Sequence, residues 1–301
     1  MKIFTAADLA VPSYGDYVEA LRAAFKGKVT APQRFVADTA SQTTLLIMPA
    51  WTGAFTGIKT VTVKSDNSAL GLPTVQGSYL LIDNATGTPV AVMDGTELTR
   101  RRTAAASALA ANYLARKDAS TLLLVGAGAL APHFARAHAE VRNIKRVLVF
   151  NRTPERAVAT AAEIGGEAVT DLAAAMAEAD IISGITSATG PVIKGQWVKP
   201  GTHIDLVGAY KPEMRETDGP AVGMARVYVD TREGALHEAG DLLMAQQEGH
   251  FKWADIQGDL FELTRGTMMG RKTDSEVTLF KSSGTALEDL AAAAMVYLRK
   301  P

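Results

Sequence analysis

The residues best suited to holding a chemical group lie in the stretch TLLLVGAGALAPHFARA. Gly126, Gly128 and Ala131 stand there at G-x-G-x-x-A spacing, with Ala127, Ala129 and Leu130 filling the loop. Gly126 allows a tight turn, Gly128 lets backbone approach a pyrophosphate, and Ala131 lets the following helix pack on the strand. That helix offers unpaired N–H groups and a partial positive charge to phosphates. The same glycines could serve a plain turn in another α/β protein. The apolar strand before them and the helix after them favour a dinucleotide.

The next strand bears on which dinucleotide. NAD-selective sites carry an Asp or Glu at its end, on the ribose 2′-hydroxyl. Here the strand runs into Asn151-Arg152-Thr153, with no carboxylate. Arg152 would pair with a 2′-phosphate, and Asn151 and Thr153 can add neutral hydrogen bonds. The segment points to NADP(H), while nothing in it repels NAD(H). Thr153-Pro154 also reads as a helix cap and first helical residue, and Arg152 as a solvated loop arginine.

Three cations lie in apolar or small-residue settings: Arg34 in APQRFV, Lys59 in GIKTVTV and Arg102 in RRTAAAS. Taken singly, each is either a surface residue or half of an anion clamp. The chain has no cysteine, which excludes disulfides, thiolate nucleophiles and Cys-ligated zinc. Its five histidines form no metal-ligand spacing, and His133 and His138, five apart on one helix, do not share a face. No metal is expected. A net charge of −1 gives no electrostatic reason for nucleic acid or an anionic membrane as partner. The N-terminus lacks an apolar signal core, and a cytoplasmic protein is expected. The tryptophans and Met268-Met269 read as packing. Glu97, Glu213 and Glu216 are assigned to the surface or to supporting positions.

These residues need elements to position them. Before about residue 115 the pattern mixes a short helix over Asp16–Phe25 with strands over Thr44–Pro49, Thr56–Val63 and Gly77–Asp83. A turn at Asn84–Gly87 precedes a strand over Val90–Met93, and a helix follows over Thr103–Arg116. From Ser120, apolar strands alternate with helices: Thr121–Val125, Arg146–Phe150, Ala168–Thr170, Ile181–Thr186, Thr202–Val207 and Val227–Asp230. The first intervening helix carries a stripe of Leu130, Phe134, Ala137 and Val141, and the second covers Pro154–Ile164. Alternation of this kind means a parallel sheet, here a doubly wound α/β fold of six strands. A last helix over Ser283–Lys300 is expected to leave that domain and return to the N-terminal one.

The segments LIMPAW, GIKTVTV, GLPTVQGSYLLIDNATGTPVAVMDG, LTRRRTAAASALAANYLA, VGAGALA, GDLFEL and TLFKSSGTALEDLAAA resemble the ornithine cyclodeaminase/mu-crystallin family. The resemblance runs from about residue 34 to residue 294, nearly the whole chain. The resemblance implies a Rossmann domain over 116–285, inserted into an α+β substrate-binding and dimerisation domain over 1–115 plus 286–301, in a homodimer. It implies that Arg34, Lys59 and Arg102 hold a substrate carboxylate near the nicotinamide. Thr186, Ser283 and Gly284 would line the nicotinamide end.

Cyclodeaminases of the family place an acid/base aspartate after a Gly-Gly pair beyond the fifth strand. Tyr210 stands there instead, and a phenol of pKa about 10 is a poor base near neutrality. The resemblance is therefore to the family's cyclic ketimine reductases. The implied reaction is hydride transfer to a carboxylate-bearing C=N such as that of Δ1-pyrroline-2-carboxylate, with Lys59 as clamp or proton donor and Tyr210 adding a hydrogen bond. Two arginines beside Lys59 would depress its pKa. The alternatives are an ornithine cyclodeaminase or alanine dehydrogenase, and a mu-crystallin-like NADPH-dependent binding protein.

Overall fold

The computed structural model describes residues 1–39 and 43–299, so Lys300 of the expected last helix lies outside the described residues. The chain divides into two compact units, residues 1–103 with 285–301 and residues 104–284.

In the first unit, β1 (Lys2–Phe4), α1 (Ala6–Leu9) and α2 (Tyr14–Lys26) precede β2 (Phe35–Asp38), β3 (Thr44–Trp51), β4 (Phe55–Val63), β5 (Val75–Asp83) and β6 (Thr88–Asp94). Thr5 and Ser13 start the two helices with reciprocal capping boxes to Asp8 and Asp16. The strands form one six-stranded sheet in the order β1-β6-β5-β4-β3-β2. Its hairpins are antiparallel and only β1 joins in parallel. Burial alternates along β4: Gly57, Lys59 and Val61 are buried and the intervening residues are more open.

Next, α3 (Gly95–Leu114) begins eight residues before the expected Thr103, in the polar run GTELTRRR. Asp94 starts it by accepting from the Glu97 N–H at 2.9 Å. The boundary between the units falls inside this helix, after Thr103.

The second unit contains β7 (Thr121–Val125), α4 (Ala131–Val141), β8 (Arg146–Phe150), α5 (Pro154–Ile164), β9 (Glu167–Val169), α6 (Leu172–Glu178) and β10 (Ile181–Gly184). Then come β11 (His203–Leu206), α7 (Gly219–Met224), β12 (Arg226–Val229), α8 (Arg232–Glu238), α9 (Gly240–Gln247), β13 (Ile256–Asp259), α10 (Leu260–Arg265) and β14 (Thr278–Lys281). The sheet has eight strands, all parallel, in the order β13-β12-β14-β11-β10-β7-β8-β9. The expected count of six is corrected by β13 and β14. β14 lies between β11 and β12, so all four of its residues are buried, including Lys281. Leu123, Val125, Leu148, Ile182, Ile204, Leu206 and Leu279 make the core against the flanking helices.

The chain runs from β7 outward through β8 and β9, then returns to the other side of β7 at β10. That reversal is a topological switch point, and ligands of such sheets bind beyond the carboxyl ends of the two strands that flank it. The last helix, α11 (Ala286–Arg299), belongs to the first unit, where it packs on α2 and β4.

Candidate active site

The loop after β7 lies at this switch point. Gly126 adopts φ +117°, and a Cβ there would meet the Ile185 carbonyl oxygen at 2.9 Å. Its N–H donates to the Phe150 carbonyl at 2.8 Å, which ties the turn to β8. Gly128 has nothing near its missing side chain, leaving backbone open to a ligand. Helix α4 starts without a side-chain cap at Leu130, so no protein oxygen covers its first N–H groups that way. A turn closed to side chains, an open glycine and an uncapped helix start fit a pyrophosphate.

Asn151, just past β8, joins both loops. Its Oδ1 accepts from the Ala127 N–H at 3.2 Å and its Nδ2 donates to the Thr153 carbonyl at 3.0 Å. The expected cap by Thr153 is absent: Thr153 precedes α5 without a side-chain hydrogen bond to it. Pro154 at the first helical position already removes one donor there. Arg152 is exposed, and its side chain has no hydrogen bond or ion pair among the described residues.

Thr186, two residues past β10, donates through its N–H at 2.7 Å and its hydroxyl at 3.0 Å to Glu216 Oε1. Glu216 Oε2 accepts from the N–H groups of Gly208 at 2.6 Å and Ala209 at 3.3 Å. Glu216 is thus not a surface residue. It is fully buried and fastens the loops after β10 and β11, directly before Tyr210. Burial raises its pKa, with Asp241 adding to the rise and Lys281 opposing it. Tyr210 itself is half-buried, with the Lys211 ammonium 6.0 Å from its ring centre. Ser283 and Gly284 follow β14, and both their N–H groups donate to the buried Asp230.

The first unit gathers the cations. Lys59 points inward from β4 and Arg102 from α3, and both meet carboxylates of α11. Lys59 Nζ lies 2.7 Å from Asp289 Oδ2. Arg102 donates from Nε to Asp289 Oδ1 at 2.9 Å and from Nη1 to Glu288 Oε2 at 2.5 Å. Lys59 is only 2% exposed, and both carboxylates are fully buried. Burial pushes the Lys59 pKa down to about 8; Arg102 and Arg34 add to this fall and Asp289 opposes it. Arg34 is half-buried and stands ahead of β2. Tyr79, the register partner of Lys59 on β5, is buried beside this cluster, and its hydroxyl has no hydrogen-bond partner among the described residues. Gly57 makes room for it, since a Cβ there would lie 1.7 Å from that oxygen.

The structure therefore unites Lys59 with Arg102, and the Gly126–Leu130 loop with Asn151. Tyr210, Thr186, Ser283 and Gly284 belong to the second unit, and Arg34, Lys59 and Arg102 to the first. Sequence reasoning missed Glu288, Asp289 and Tyr79. The signal for the first two was a Glu-Asp pair within the apolar helix TALEDLAAA, because adjacent charges in a buried helix require cationic partners.

A doubly wound sheet with a phosphate-fitting turn at its switch point, in a chain that also builds a buried cationic cluster, defines a nicotinamide-dependent oxidoreductase. Over residues 5–300 the chain matches, and belongs to, the ornithine cyclodeaminase/mu-crystallin family. It is similar to the Δ1-pyrroline-2-carboxylate reductase of Paracoccus denitrificans, at 40% identity over 294 residues, covering 94% of this chain and 92% of that one. It is also similar to the solved structure of the Thermococcus litoralis Δ1-pyrroline-2-carboxylate reductase with NADH and L-proline: TM-score 0.93, 35% identity, 99% of this chain and 97% of the other. A solved archaeal alanine dehydrogenase dimer with bound NAD gives a TM-score of 0.92 at 32% identity, covering 99% and 95%.

Proposed function

We infer that the protein reduces cyclic ketimines bearing a carboxylate beside the C=N bond, with Δ1-pyrroline-2-carboxylate as the type substrate. The buried pairing of Lys59 with Arg102 carries this reading. It sets a proton donor beside a carboxylate-binding guanidinium, which is what an α-imino acid needs.

Arg102 has spent Nε and Nη1 on α11, while its Nη2 makes no hydrogen bond among the described residues. That edge receives the substrate carboxylate, with Arg34 adding positive charge. Fixing the carboxylate fixes the carbon next to it, which is the carbon to be reduced. When bound, the reduced dinucleotide supplies the hydride. Reduction of C=N to CH–NH needs a proton at nitrogen as well, and Lys59 in its ammonium form provides it. Lys59 regains that proton from solvent after turnover. A lysine with a pKa of about 8 holds a proton at neutral pH yet releases it readily. Tyr210 occupies the place where a cyclodeaminase would need a carboxylate base, which argues against that reaction.

We further infer a preference for NADPH. Arg152 is exposed without a partner among the described residues, no carboxylate ends β8, and the Thr153 hydroxyl does not cap α5. The homodimer reading is supported by β2, an edge strand that exposes Phe35 at 58% and Val36 at 54%. The deciding experiment for the function is dinucleotide oxidation with Δ1-pyrroline-2-carboxylate and Δ1-piperideine-2-carboxylate. Folded protein that binds NADPH or NADH and turns over neither imine refutes the reading.

A further inference from the structure

Asp289 touches both cations of this cluster. One oxygen meets Lys59 on β4 at 2.7 Å and the other meets Arg102 on α3 at 2.9 Å. Glu288, its neighbour on α11, meets Arg102 through Nη1. The groups that face Lys59 are Asp289 from α11, Arg102 from α3, Arg34 from ahead of β2, and Tyr79 from β5. Of these, Asp289 brings a negative charge into direct contact with the Lys59 ammonium. Without that contact, burial and the two neighbouring cations would both favour the neutral amine of Lys59.

We propose that Asp289 is a positioning residue for imine reduction: its single carboxylate spans Lys59 and Arg102, aims their remaining donors at the substrate, and holds Lys59 as an ammonium. Arg102 has five N–H donors and Lys59 three, so each keeps donors for a ligand after engaging α11. The spanning geometry sets the separation of the proton donor from the carboxylate-binding edge. The C-terminal helix, remote in sequence from both cations, thus decides the alignment of the reacting groups. This inference rests on the reading of Lys59 and Arg102 as substrate contacts given above.

The test compares Asp289→Asn with Glu288→Gln, which remove the same charge from adjacent positions of one helix. The readouts are the pH profile of kcat/KM for Δ1-pyrroline-2-carboxylate, the KM for the dinucleotide, and the titration of 13C-labelled Lys59 by NMR. Asp289→Asn is expected to move the alkaline limb and the Lys59 titration about one pH unit or more toward acid, a tenfold loss on that limb per unit. The dinucleotide KM stays within roughly twofold, since Asp289 lies outside the dinucleotide unit. Glu288→Gln is expected to raise the imine KM and leave the limb in place.

An unmoved limb in Asp289→Asn, or an equal shift in Glu288→Gln, overturns the proposal. Should Asp289→Asn not fold, Asp289→Glu replaces it: charge retained but displaced should keep the limb and lower kcat, and an unchanged kcat overturns the positioning role. A wild-type protein without turnover overturns the reductase reading instead. The NMR titration needs no substrate and still reads the pairing, which a Lys59 signal unshifted in Asp289→Asn refutes.

Discussion

Gly126→Ala tests the cofactor site at its most constrained atom. The residue turns at φ +117°, where an L side chain is strained whatever the space. The added methyl would also stand 2.9 Å from the Ile185 carbonyl oxygen and 3.1 Å from its carbon. Neither side yields easily. Gly126 N–H is bonded to the Phe150 carbonyl at 2.8 Å and Ile185 N–H to the Val125 carbonyl at 3.0 Å, so both segments are tied to central strands. Forcing a residue into a sparse backbone region costs about 1–3 kcal/mol. Inserting a methyl into packed surroundings costs about 1–3 kcal/mol more.

The sum, at least about 2 kcal/mol, must appear somewhere. If the loop gives way, it appears as lost dinucleotide affinity of about 30-fold, at ~1.4 kcal/mol per tenfold. If the loop holds, it appears as a lower Tm, by ~2–4 °C per kcal/mol for a fold of this size. Fluorescence titration with NADH and NADPH, together with thermal unfolding of the same samples, reads both channels. An alanine variant with Kd within roughly twofold and Tm within about 1 °C of the parent would falsify the account of this turn.

Arg152→Ala removes a charge-assisted contact worth ~1.5–3 kcal/mol, so NADPH affinity should fall about 10- to 150-fold while NADH affinity stays within roughly twofold. Equal losses for both dinucleotides refute the phosphate contact. Because Lys59 must be protonated to act and its pKa is held near about 8, kcat/KM for the imine should be flat below that value and fall as pH rises through it. A profile with no alkaline limb up to about pH 10 removes Lys59 as proton donor. Replacing exposed Phe35 and Val36 with lysine should convert a dimer to monomer in sedimentation equilibrium, and a wild-type monomer or an undisturbed variant dimer refutes the edge-strand interface.

Legibility of this molecule in its sequence followed the range of the forces involved. The Gly126 loop was readable because its requirement is local: a turn that excludes side chains, a strand before it and a helix after it, all within about 17 residues of chain. The hairpins over β4 to β6 were readable because each strand alternates and each turn carries its own signal. β14 was not, because TLFK ends in a charge, and only insertion between β11 and β12 beside the buried Asp241 makes Lys281 an interior residue. The cationic cluster was half readable for the same reason. Lys59 and Arg102 announced themselves as cations in apolar settings, but a cation's partner is set by three-dimensional packing, and theirs lie on α11, 186 and 187 residues beyond Arg102. Glu288 and Asp289 are turned inward by the packing of α11, which nothing local in TALEDLAAA specifies. The chemistry of Lys59 follows from that turn. Two arginines beside it, the feature visible in sequence, only drive its proton off, and burial does so more strongly. The carboxylate on the distant helix opposes both and keeps the lysine able to donate.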